Sequence, residues 1–152
     1  MIWKNPSALS KIAMATHKLC KAGIQLREQL DDSFPSRDRS SDGWIGDAKH
    51  RTRKSDHNPD AQGWVRALDI DADLRHPIGS WELANQLRKA GKTDKRISYV
   101  IHKGRIASRR FFFRWRKYAG DSHERHIHIS FTKHGDKDMT RFDLPCLGGK
   151  ND

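Results

Sequence analysis

Three residues far apart in the chain, His57, Asp69 and His128, are of the types that hold a catalytic zinc ion. Zinc in a hydrolytic site commonly takes three protein ligands and leaves a fourth position for water, whose pKa falls towards about 7. His128 lies in His123-Glu124-Arg125-His126-Ile127-His128-Ile129-Ser130-Phe131, where polar and apolar residues alternate strictly from His126 onward. As a β-strand this segment sets His126, His128 and Ser130 on one face and Ile127, Ile129 and Phe131 on the other. The first face lines a cleft and the second is core. His57 follows Ser55-Asp56, and Asp69 closes Ala67-Leu68-Asp69. Asp71 shares a face with Asp69 and competes for the carboxylate role.

Other residues fit supporting parts. His126, two positions from His128, is near enough to a reacting oxygen to take or stabilise charge. His123 and Glu124 both precede the strand, and either suits a general base; the working pKa of a neutral imidazole favours His123. A metal-bound water makes Ser130 unnecessary as a nucleophile. Asp56 reads as an Asx turn, and His50, His76, His102 and His134 lack a partner pattern and read as surface residues.

The elements that must position this set follow from periodicity. Residues 7–22 have helical spacing that stops at Gly23, with a second helical piece over 24–31. Residues 32–63 have no sustained period and read as a long loop, a length usually tied to function. Trp64 to Ile70 reads as a strand. Ser80 suits an N-cap for a helix through Leu83, Ala84 and Leu87, with Gly91 just past its end. Ile97–His102 and Arg105–Ser108 flank Lys103-Gly104, a hairpin turn. The expected fold is α+β: a small antiparallel sheet with helices packed on one face.

At 152 residues the chain fits one domain, expected over 1–148 with a frayed tail at 149–152. Five Trp, six Phe and two Tyr supply bulky core material although only 35% of residues are hydrophobic, which argues against a disordered polar chain. A net charge of +11 favours polyanionic partners, either nucleic acid or an anionic bacterial wall. Residues 101–120 hold cations and no Asp or Glu around Phe111, Phe112, Phe113, Trp115 and Tyr118, an arrangement read as core plus cleft wall with its basic residues outside. Two cysteines, Cys20 and Cys146, are too few for a disulfide framework. No series resembles a signal peptide and no run is long enough to span a membrane, so the expectation is synthesis in a cytoplasm and release by another route.

Ser55-Asp56-His57, Ala67-Leu68-Asp69 and His126-Ile127-His128 resemble the zinc signature of the LAS or M15 peptidases. That group includes D-alanyl-D-alanine peptidases, murein endopeptidases and L-alanyl-D-glutamate endolysins, and the Hedgehog signalling domain shares its scaffold. The surrounding Ser41-Asp42-Gly43-Trp44-Ile45-Gly46-Asp47 and Ser55-Asp56-His57-Asn58-Pro59-Asp60 are similar to small members from actinobacteria and their phages. The resemblance covers most of residues 25–132. It implies zinc on His57, Asp69 and His128, a base at His123 or Glu124, and assistance from His126. It also implies a cation upstream of the first ligand to bind the carbonyl oxygen, here Arg53, with Arg51 and Lys54 behind it. One departure is clear: the step from His57 to Asp69 is twelve residues, against seven in members with the compact motif.

The expected function is zinc-dependent hydrolysis of a peptide bond in peptidoglycan stem peptides, by a monomer of the phage-lysis or wall-remodelling kind. A metal-dependent nuclease is one rival, although magnesium nucleases prefer carboxylate-rich sites. A non-catalytic zinc-containing binding module on the same scaffold is the other.

Overall fold

The computed structural model describes residues 17–45 and 55–148. In chain order its elements are β1 (Lys18–Leu19), α1 (Lys21–Ser33), β2 (Trp64–Val65), β3 (Ala67–Asp71), α2 (Ser80–Gly91), β4 (Ile97–His102), β5 (Arg105–Ser108), β6 (Trp115–Lys117) and β7 (His126–Phe131). Five strands form an antiparallel sheet in the order β3-β7-β4-β5-β6, while β1 and β2 form a separate parallel pair. The fold is α+β, as the sequence pattern predicts.

The predicted alternation decides which residues enter the core, although from Ile127 onward β7 is buried on both faces. Ile127, Ile129 and Phe131 of β7, with Leu68 and Ile70 of β3, enter one hydrophobic cluster that also takes Leu26 and Leu30 from α1 and Leu83, Ala84 and Leu87 from α2. Both helices therefore cover one face, each through a stripe at helical spacing. The opposite face keeps Asp69, His126 and His128. Among the described residues no helix is long and apolar enough to cross a membrane.

Several boundaries differ from the sequence reading. Gly23 does not stop a helix: α1 runs through it, because the missing side chain lets Leu19 pack there, 2.8 Å from where a Cβ would sit. Residues 18–19, expected to be helical, are extended and pair with β2, and the rest of the first predicted helix lies outside the described residues. The helix ends at Phe34, ahead of Pro35, whose ring disfavours helical backbone in the residue before it.

Trp64 to Ile70 is two strands, not one. The break at Arg66 sends β2 to β1 and β3 to β7. The Arg66 guanidinium bonds Asp136 through two nitrogens at 2.8 Å and Asp60 at 2.6 Å. Asp60 in turn accepts the Gln62 and Trp64 N–H groups, so this clasp ties the 55–63 segment to the sheet.

Gly79, not Ser80, caps α2, and Gly91 is its last residue rather than the one beyond it. A methyl group on Gly91 would meet the buried Phe113 ring at 2.5 Å. The Lys103-Gly104 hairpin forms as predicted, both residues having positive φ. Of the aromatic run, Phe113 is core and Tyr118 reaches the cleft, whereas Phe111 and Phe112 are exposed rather than buried. Arg116 lies over the Phe111 ring at 3.6 Å. The predicted frayed tail and Arg53 fall outside the described residues.

Helix propensity alone makes Gly91→Ala stabilising by about 1 kcal/mol. The Phe113 contact reverses that sign, and the variant is expected to lose about 2 kcal/mol in chemical denaturation.

Candidate metal centre

Antiparallel pairing of β3 with β7 sets Asp69 opposite His128 and Asp71 opposite His126. A one-residue slip would turn Asp69 into the core, so the apolar residues between these positions fix the site as well as the fold. Asp69 Oδ1 lies 3.1 Å from His128 Nδ1, and Asp69 Oδ2 lies 3.4 Å from His57 Nε2. Neighbouring ligands on a tetrahedral zinc with bonds near 2.0–2.1 Å are about 3.3 Å apart, close to both spacings, and one ligand-type atom from each of the three residues lies within 4.8 Å of the others.

His57 reaches this point from the 55–63 segment. A turn bonds the His57 N–H to Ser55 Oγ and the Asn58 N–H to the Ser55 carbonyl. The His57 Nδ1 faces the Trp44 carbonyl at 2.9 Å and donates to it, so Nε2 is the ring nitrogen turned toward Asp69. Trp44 is held in turn by its neighbour, since Gly43 exchanges both backbone hydrogen bonds with Asp69. The stretched spacing from His57 to Asp69 is thus absorbed by the loop that Asp60 and Arg66 pin.

Asp71 is not at the centre. Its carboxylate accepts from the Ser41 and Asp73 N–H groups and from Ser40 Oγ, bracing the 38–42 loop. Nearby, buried Arg37 grips Asp42 through two nitrogens, and Asp42 accepts the Asp71 N–H. The geometry separates the two carboxylates: Asp69 faces the imidazoles and Asp71 holds scaffold.

A second set overlaps the first, because Asp69, His123 and His126 also bring ligand-type atoms within 4.8 Å of one another. The His126 Nε2 is 3.5 Å from Asp69 Oδ2. His57 and His128 are buried, whereas His126 is half-buried. His123 has a positive φ and aims its ring between His126 and His128, with ring centroids 4.9 and 5.4 Å away. Its Nδ1 donates to the Asp121 carbonyl at 2.6 Å, leaving Nε2 free to accept a proton. Glu124, the other candidate base, is exposed and belongs to neither set.

Charge follows position. Burial disfavours an ionised Asp69, but hydrogen bonds to His128 and His57 prevail and hold its carboxyl well below the usual range. Burial also opposes protonation of His57, yet the Asp69 bond outweighs it and the pKa rises; at His128 burial wins and the pKa falls. Burial likewise lowers His126.

The cluster opens into a cleft of about 320 Å³ lined in part by Asp56, Tyr99, Tyr118, Asp121 and His123. A larger hollow of about 490 Å³, beside Arg27, Arg39 and Ile45, contains no imidazole.

Sequence reasoning missed several contributors. Ser130 is a partner of His128 rather than an idle hydroxyl, with Oγ 2.7 Å from Nε2. Its position on the histidine face was the available signal. Asp56 is not merely a turn former, since it accepts the Tyr99 hydroxyl at 2.7 Å. His102 is not a surface residue: it is fully buried, its Nδ1 donating to the carbonyls of His123 and His126 and its Nε2 accepting from Ser80 Oγ. It points to the helix-covered side of the sheet, where no local pattern distinguishes a buried imidazole from an exposed one.

Asp69→Asn is expected to abolish binding of a divalent metal ion added before dialysis, and Asp71→Asn to preserve it, as read by elemental analysis. Because Asp69 raises the His57 pKa, a metal ion binding there competes with a proton. Uptake should therefore release protons, and apparent affinity should fall as pH drops through the imidazole range, measurable by calorimetry in buffers of different ionisation enthalpy. Against protein-family models, curated proteins and solved structures the chain finds no match, so the geometry of this centre carries the functional reading.

Proposed function

We propose that this protein is a zinc metallopeptidase that cleaves a peptide bond in the stem peptides of bacterial peptidoglycan. The observation that carries the reading is the convergence of His57, Asp69 and His128 beside a cleft that His123 also lines, with His126 next to Asp69. Two imidazoles and one carboxylate suit zinc better than magnesium. The peptidoglycan assignment rests on the resemblance of the Ser-Asp-His, Ala-Leu-Asp and His-Ile-His elements to the M15 peptidases, and the net charge of +11 agrees with an anionic wall.

A zinc ion bound there would polarise the scissile carbonyl and lower the pKa of the attacking water. His123 Nε2 accepts the proton of that water and returns it to the leaving amine. His126, held mainly neutral by burial, offers an N–H to the carbonyl oxygen as negative charge grows on it. Arg53 is assigned to the same oxygen by the resemblance alone.

Purified wall digested with and without chelator, with fragments analysed by mass spectrometry, tests this function. The expected result is new amino and carboxyl termini within stem peptides, lost with chelator and restored by zinc. His123→Ala should lower turnover by about 10²-fold or more while zinc content stays the same. Magnesium-dependent cleavage of DNA with intact wall fragments would sink the peptidase reading in favour of a nuclease. Zinc bound without wall cleavage would favour a binding module.

A further inference from the structure

We infer that the histidine cluster holds a second divalent cation on Asp69, His123 and His126, sharing the carboxylate of the His57, Asp69, His128 centre and bound more weakly. The inference rests on the zinc reading above and adds a limit to it, because the second ion takes up groups that the reaction needs.

One ligand-type atom from each of Asp69, His123 and His126 lies within 4.8 Å of the other two. The His126 Nε2 is 3.5 Å and the His57 Nε2 3.4 Å from Asp69 Oδ2, while the His128 Nδ1 is 3.1 Å from Asp69 Oδ1. Both carboxylate oxygens thus have imidazole nitrogens beside them. An ionised carboxylate has about four lone-pair sites, enough to serve two ions, which in paired metal sites lie about 3.5–4 Å apart.

The two added histidines are held in place independently of any ion. Their rings meet edge to face, with centroids 4.9 Å apart and planes at 88°. The His123 Nδ1 donates to the Asp121 carbonyl at 2.6 Å, so Nε2 is its nitrogen for a metal. One group ties the two backbones: His102 Nδ1 donates to the carbonyls of His123 and His126 at 2.9 and 3.1 Å. His102 is itself fully buried, with Ser80 Oγ 2.9 Å from its Nε2. A buried imidazole therefore fixes the spacing of two others beside Asp69.

Two dications around one carboxylate need more negative charge nearby. Asp56 and Asp121 supply it, since both line the cleft that His57, His123 and His128 also line. Burial sets the order of filling. His57 and His128 are buried, whereas all three members of the second set are half-buried, and ligands held by packing lose less freedom on binding. The second ion occupies the His123 nitrogen assigned to proton transfer and the His126 nitrogen assigned to the carbonyl oxygen, so excess zinc inhibits.

Equilibrium dialysis of the metal-free chain against rising zinc, read by elemental analysis, tests the pair. The wild-type protein is expected to take up two ions per chain in two steps, and turnover on purified wall to rise with the first and fall with the second. His123→Asn keeps a residue that tolerates the positive φ there, and His126→Ala removes the other imidazole. Each should retain the first ion and weaken the second by at least the roughly 10–100-fold that loss of a mere supporting partner costs. One variant precedes β7 and the other begins it, so a folding failure in either leaves the other to decide. A single ion in the wild-type protein at saturating zinc would make the two sets alternatives for one ion and overturn the pair, leaving the zinc centre intact. Two ions in the wild-type protein and in both variants would overturn the placement. Turnover that stays high with both ions bound would overturn the inhibition. Two ions without wall cleavage would keep the pair and sink the peptidase reading, and no uptake at all would overturn both metal sites.

Discussion

The cross-strand pairing of Asp69 with His128 is the constraint on which the rest of the structure depends. It is fixed by residues that do no chemistry. Leu68 and Ile70 on β3 and Ile127 and Ile129 on β7 enter the core, so the polar residues between them face the other way together. Register and site are the same decision, because side-chain direction in a strand has a period of two. The helices matter to the site mainly by making one face of the sheet too apolar to be exposed.

Around that pair the protein uses ionic clasps where apolar packing is unavailable. Arg66 holds the His57 segment through Asp60 and Asp136, and Arg37 holds the segment carrying Trp44 through Asp31 and Asp42. Arg96 does the same for the chain's later part, bonding Asp94 and the Thr140 carbonyl and lying over the Phe142 ring. Well-satisfied charges at partly buried positions define geometry more than they add stability. This role suits long irregular segments that must present one atom, such as the Trp44 carbonyl, at one place.

Legibility in the sequence followed the range of the interactions. The alternation from His126 to Phe131 is local, and the strand, its faces and the Lys103-Gly104 hairpin were all readable from it. The contest between Asp69 and Asp71 was not readable, since both lie on one face and only the partners of the 38–42 loop divide them. Gly23 illustrates the opposite failure: a residue that commonly ends a helix continues one here because Leu19 needs the space. His102 and Tyr99 gave no signal, as their partners lie 20 or more residues away and on other elements. The Phe111 and Phe112 side chains were expected inside, but the turn after β5 carries them outward and only Phe113 returns to the core.

The three ligand-type residues are anchored unequally. Asp69 and His128 belong to paired strands inside a continuous ladder, whereas His57 stands on an irregular segment secured by side-chain contacts. Opening that segment breaks a few local bonds and leaves the sheet intact, so the free energy of local opening at His57 lies below that of global unfolding. Exchange of an ion then becomes a motion of one arm against a fixed pair, and its rate is set by the loop rather than by the stability of the fold.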